Sequence, residues 1–175
     1  MKIIEVKEFS RAYLATAQKL LRLLLPEQAS ITEADFKALI ASDNSHLFFL
    51  LVEDTVAGMA TVGIYRSPSG SKAWIEDVVV DEAYRGKGYG RMLTQHAIDF
   101  AKAQKADLLM LTSSPKRIAA NNLYQSIGFK RKETNLYRMM LIEQALHDGE
   151  GLYFGEAGQV KPVIINDLPN DCGAL

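Results

Sequence analysis

The densest run of chemically capable residues is Asp81-Glu82-Ala83-Tyr84-Arg85-Gly86-Lys87-Gly88-Tyr89-Gly90-Arg91, set between an apolar stretch and an amphipathic one. Three glycines at alternating positions leave no Cβ in the way of a bulky anion approaching the backbone. Unpaired N–H groups at a helix start, with the helix dipole behind them, favour phosphate oxygens. Arg85, Lys87 and Arg91 add full positive charges. Spacing excludes two familiar phosphate loops. A dinucleotide fingerprint needs its third glycine three places after the second, where Arg91 stands. A Walker loop needs Ser or Thr after Gly-Lys, and Lys87 is followed by Gly88. The same residues also suit a glycine-rich turn with solvated cations.

Other chemistries find less support. The histidines His46, His96 and His147 and the single cysteine Cys172 are far apart and form no metal-ligand spacing, so no metal is expected. One cysteine cannot form an intramolecular disulfide, which suits a reducing, cytoplasmic setting. Twenty Lys+Arg against 21 Asp+Glu leave a formal net charge of −1. That balance argues against a nucleic-acid partner or an anionic membrane surface. No run reaches about 18 uninterrupted apolar residues, so no membrane span is expected. With 175 residues, 48% hydrophobic, the chain has the proportions of a single globular domain.

The elements that must hold the glycine-rich run alternate along the chain. Ile3 to Val6 predicts a first strand. Ser10 caps a helix whose face carries Tyr13, Leu14, Ala17, Leu20, Leu21 and Leu24 and which ends at Pro26. Thr32 with Asp35 resembles a capping box opening a second, short helix. Leu47 to Val52, Val56 to Tyr65 and Ala73 to Val80 read as strands, with a loop at Ser67–Ser71. A helix follows the glycines, then a strand at Leu108–Thr112. The next helix puts Ala120, Leu123, Tyr124 and Ile127 on one face, with Gly128 as a left-handed cap. Tyr137, Met139 and Leu141 alternate as in a last strand. The order predicts a mixed α/β domain with hairpins in the middle and crossovers later. Beyond this the composition changes. From Glu143 onward six acids face Lys161 alone and five of the 12 glycines collect, so residues 143–175 read as an acidic, Gly-rich extension of a domain at 1–142.

Arg85-Gly86-Lys87-Gly88-Tyr89-Gly90 matches the Arg/Gln-x-x-Gly-x-Gly/Ala signature of the Gcn5-related N-acetyltransferases (GNAT). Upstream, Ile75-Glu76-Asp77-Val78-Val79-Val80-Asp81 resembles the central strand of that family. Downstream, Arg117 to Phe129 resembles its helix ending in Tyr, three residues and Gly-Phe. The likeness runs from about Ile3 to Ile142. It implies a mostly antiparallel central sheet flanked by helices, with a splayed, bulged central strand. It also implies acetyl-CoA as cosubstrate, its pantetheine pairing with the backbone of Val78, Val79 and Val80 and its pyrophosphate over Arg85 to Arg91. The N–H of about Val79 would face the thioester carbonyl.

By the same resemblance Tyr124 becomes the proton donor to the departing thiolate; the best nearby base for the incoming amine is Glu76, directly or through a water. Strand alternation sends Glu76 and Asp77 to opposite faces, so only Glu76 is expected in the cleft. Arg117 stands where many relatives carry Asn, and Asn121 is the candidate left for a hydrogen bond to the cosubstrate. Without an activated cysteine, the implied reaction is direct acetyl transfer to a primary amine in a ternary complex. The acceptor, a small molecule or a peptide, is not encoded legibly. Relatives pair through strand exchange, so a homodimer is implied as an option, with Val163–Ile165 as a candidate contributor. A catalytically silent domain that senses CoA or acyl-CoA is the alternative reading.

Overall fold

Hydrophobic alternation builds the centre of the molecule. In the computed structural model, which describes residues 1–26 and 30–139, Leu47, Phe49 and Leu51 point to one side of a strand and Phe48 and Leu50 to the other. Both sets are buried because helices cover both faces of the sheet. The elements run β1 (Lys2–Glu5), α1 (Arg11–Leu24), α2 (Glu33–Ala41), β2 (Ser45–Val52), β3 (Thr55–Ser67), β4 (Gly70–Val80), a 3-10 turn (Glu82–Tyr84), α3 (Tyr89–Ala103), β5 (Leu108–Leu111) and α4 (Ile118–Ile127). The five strands lie in chain order. β1 to β4 pair antiparallel, and β5 joins β4 in parallel through the α3 crossover. The mixed, mostly antiparallel sheet expected from the sequence is therefore present.

Helix caps form where their residues predict them. Ser10 accepts from the Ala12 N–H at the start of α1. Thr32 Oγ1 accepts from the Asp35 N–H and donates to the Asp35 carboxylate at 2.6 Å. Gly128 closes α4 at φ +114°. Ala17 and Leu20 of α1, with Phe36 and Ile40 of α2, pack on Phe49, Met59 and Val79 on one face. Leu93, Ala97 and Ala101 of α3 cover the other. The half-buried face of α4 carries Ala120, Leu123, Tyr124 and Ile127, as its periodicity requires.

Among the described residues the last expected strand does not form. Residues 129–139 carry no regular structure, with Tyr137 86% and Met139 81% exposed, and Leu141 lies outside the described residues. Alternation alone does not make a strand; it needs an edge to pair with and a face to bury, and Tyr137 and Met139 find neither among the described residues. The 143–175 extension, with Cys172 and Val163–Ile165, also lies outside the described residues.

β3 and β4 approach closely at Gly58. A Cβ there would stand 2.7 Å from the Val79 carbonyl oxygen and 3.1 Å from Leu93 Cδ1. Neither the ladder nor the buried leucine can retreat without strain, so Gly58→Ala should cost about 1–3 kcal/mol. An unchanged urea midpoint would show that the strands yield more readily than close packing allows.

Candidate active site

Register creates the cleft. Gly58 pairs with Val80 and Met59 with Val79, but Thr61 pairs with Glu76. Ala60 therefore opposes two residues, Asp77 and Val78, which is a β-bulge in β4. Asp77 absorbs the extra residue in the left-handed region at φ +51°, a conformation to which Asp is better suited than most side chains. On the other side of β4, pairing with β5 ends at Ile75 opposite Leu111. From Glu76 to Val80 the strand has no neighbour there among the described residues. Its backbone edge is left open for an extended ligand to pair with.

The bulge overturns one expectation. Asp77 is not kept out of the cleft: both Glu76 and Asp77 border a space of about 320 Å³ with Val78, Tyr124, Arg117 and Arg138. Strict alternation fails because one residue of the pair sits in a turn-like conformation. Partial burial raises the Glu76 carboxyl above its ordinary value of 4.5, and the neighbouring Asp77 charge adds to the rise. The Trp74 indole N–H offsets part of this, although it stops short of hydrogen-bonding geometry. Burial likewise raises Asp77 above 3.8.

The Asp77 shift has a consequence for stability. The folded chain keeps this proton to higher pH than the unfolded chain, so stability falls as pH rises from about 4 through the folded value. Asp77→Asn removes that loss and keeps a side chain suited to positive φ. Its Tm should exceed the wild-type value at pH 7 and converge with it near pH 3. An equal or lower Tm at pH 7 would contradict burial as the cause.

Tyr124 projects from α4 into the same cleft, with its ring edge-on to Phe129 at 6.0 Å. Burial raises its phenol above the ordinary 10, opposed by the Arg117 charge. The hydroxyl is therefore protonated, and able to donate, throughout the neutral range. Arg117 donates from Nη2 to the Leu24 carbonyl at 3.1 Å and so ties the start of α4 to the end of α1. Sequence reasoning missed Leu24, Leu25, Arg117, Arg138 and Thr112 as cleft residues. For Arg117 there was a signal, its departure from Asn. For Leu24, 93 residues away from Arg117, there was none.

β4 runs from this cleft directly into the glycine-rich loop. Asp81 caps the 3-10 turn by accepting from the Ala83 N–H and is bridged by Lys19 of α1. Gly86 and Gly88 both adopt positive φ, +78° and +81°, and a Cβ at either would meet nothing within 4 Å. Their requirement is conformational rather than steric. Gly88 caps α3 without a side-chain acceptor, which leaves N–H groups at the head of a 15-residue helix for an external anion. Gly90 follows in the first turn, where an added Cβ would stand 3.5 Å from Leu123 Cδ2, an ordinary contact distance.

The three expected cations divide their work. Lys87 is exposed and lies over the Tyr84 ring at 5.4 Å. Arg85 donates to the Val80 carbonyl at 3.2 Å and pairs with Glu82, so it braces the strand end. Arg91 donates to Ser126 Oγ at 2.6 Å, joining α3 to α4. Asn121 spends its amide on the Ser114 carbonyl at 2.9 Å, which shapes the loop before α4. Tyr89 is half-buried at the first position of α3. An open strand edge that leads into a helix head without a side-chain cap fits a ligand with an extended arm followed by a pyrophosphate, as acetyl-CoA has. Among the described residues no helix is long and apolar enough to cross a membrane.

The chain is similar to known proteins in sequence and in fold. Residues 14–129 match the family described as Acetyltransferase (GNAT) family. The chain is 35% identical over 112 residues to mycothiol acetyltransferase of Renibacterium salmoninarum, covering 61% of this chain and 33% of that protein. It is 30% identical over 98 residues to N-alpha-acetyltransferase RimI of Mycobacterium tuberculosis, covering 56% and 60%. The chain thus spans less than two thirds of the length of either. A solved structure of a proposed acetyltransferase from Agrobacterium tumefaciens str. C58 superposes with a TM-score of 0.71 at 26% identity, covering 80% of this chain and 100% of that one. With the family match extending over most of the chain, and with the bulged strand, glycine-rich helix head and Tyr-x-x-x-Gly-Phe helix end in their places, the protein belongs to the GNAT acetyltransferase family.

Proposed function

We propose that the protein transfers the acetyl group of acetyl-CoA directly to a primary amine within a ternary complex. The observation that carries this reading is the convergence of three features in one cleft: the unpaired β4 edge, two carboxyls raised by burial, and a protonated tyrosine. When bound, acetyl-CoA would supply an activated acyl carbon on a thiol leaving group. The backbone of Val78, Val79 and Val80 would hold the ligand in extended form. The N–H groups at Gly88 to Gly90, with Lys87, would take the pyrophosphate.

An alkylammonium is not nucleophilic and must first lose a proton. Glu76 and Asp77 are suited to accept it, directly or through water, because burial brings their basicity closer to neutral pH. The C–N bond then forms as the C–S bond breaks. The nitrogen gives up its second proton to water, Tyr124 supplies a proton to the departing sulfur and regains one from solvent, so that one proton is released overall. The overall exchange needs no acetylated side chain.

Two measurements test the reading. Titration calorimetry should give saturable heat with acetyl-CoA, and a thiol-release assay should detect CoA only when an amine acceptor is added. Heat without thiol release from any amine would favour the silent acyl-CoA sensor instead. Absence of both would overturn the proposal.

A further inference from the structure

The cleft carries both signs of charge on opposing elements. Glu76 and Asp77 come from the bulge of β4, and Arg117 and Arg138 from the start of α4 and the segment beyond it. Among the described residues neither arginine lies within the 4.0 Å ion-pair distance of any carboxylate. Opposite charges that line one cleft without neutralising each other are arranged to meet a ligand that carries both. We propose that the acceptor is a small amino acid-like molecule, its amine directed to Glu76 and Asp77 and its carboxylate to Arg117 and Arg138. This rests on the acetyl-transfer reading above and deepens it.

Arg117 is built for that task. Its bond to the Leu24 carbonyl fixes the guanidinium in the wall between Tyr124 and the end of α1. Only one of its five N–H donors is used there among the described residues. The planar fork that remains matches a carboxylate, which an ammonium or an amide would match less well. Arg138 adds a second charge from an exposed position on the rim. Leu24, Leu25 and Val78 supply apolar contact for the acceptor's own side chain. The volume is near the lower end of the roughly 300–1,000 Å³ common for small-molecule sites. It suits a compact acceptor beside the acetyl end, not a large polyamine or an oligosaccharide.

The test compares matched sets of amines with acidic, aliphatic and aromatic side chains: each α-amino acid, its primary amide, its decarboxylated amine and its aminophosphonate. The carboxylate-bearing member of the best set should exceed its amide and its decarboxylated amine at least about tenfold in kcat/KM, which corresponds to about 1.4 kcal/mol. Arg117→Gln and Arg138→Gln should each erase much of that preference by raising KM for the amino acid more than they lower kcat. Arg117→Lys should recover part of it through charge alone. Equal use of the amide, or a preference for the aminophosphonate, overturns the carboxylate assignment. So do losses in the arginine variants that fall equally on charged and uncharged amines. Saturable heat with acetyl-CoA, together with turnover of uncharged amines, would leave acetyl transfer standing while this inference fell. Absence of heat and of all turnover would remove both.

Discussion

Tyr124→Phe is expected to lower kcat by about 10²-fold or more, since a positioned proton donor typically contributes 10²–10⁴-fold. Acetyl-CoA affinity should stay within about twofold, because the phenol oxygen is the one atom removed and the ring contact with Phe129 is kept. Tyr124 lines the cleft from α4, and burial holds the phenol proton into the alkaline range. Wild-type activity should therefore show no loss from tyrosine ionisation below pH 10, while its acidic limb reports the carboxyls of Glu76 and Asp77. Steady-state rates across pH, with calorimetry for the donor, measure both. A kcat in Tyr124→Phe within threefold of wild type would mean that the thiolate leaves without help, or is protonated by water.

Gly88→Val should produce the second large effect. At φ +81° a β-branched residue is a severe backbone outlier, costing of the order of 1–3 kcal/mol if the conformation is kept. Nothing lies within 4 Å of a Cβ at this position, so the cost is one of backbone geometry rather than collision. The loop can relieve it by rotating into an ordinary conformation. That rotation redirects the N–H groups at the head of α3, and acetyl-CoA affinity should fall about 10- to 100-fold. Gly88→Asn, which tolerates positive φ, should lose much less. If Val and Asn weaken binding equally, the glycine is needed for space around the ligand and not for its own dihedral angles.

Both predictions depend on residues that local sequence had already marked. The caps at Ser10, Thr32 and Gly128 were legible because each involves partners within a few residues. The glycine-rich helix head was legible for the same reason: alternating glycines restrict the possible conformations whatever surrounds them. Element order followed from hydrophobic periodicity, which reports whether a segment presents one face or two to a core. Tyr137 and Met139 show the limit of that signal. Two alternating residues satisfy the period, and among the described residues no strand pairs with them.

From its amino acids alone the chain determined its helices and its first five strands, the glycine-rich turn and the half-buried helix face that carries Tyr124, since each depends on short-range sterics and patterning. Only the tertiary structure decided the composition of the cleft. Asp77 joins Glu76 there because β3 and β4 slip by one residue between Met59 and Thr61, a mismatch that exists only once the two strands have paired. Arg117 meets Leu24 across 93 residues because the end of α1 and the start of α4 are brought together. Register and distant packing are set by the free energy of the whole assembly, which no short window of sequence contains.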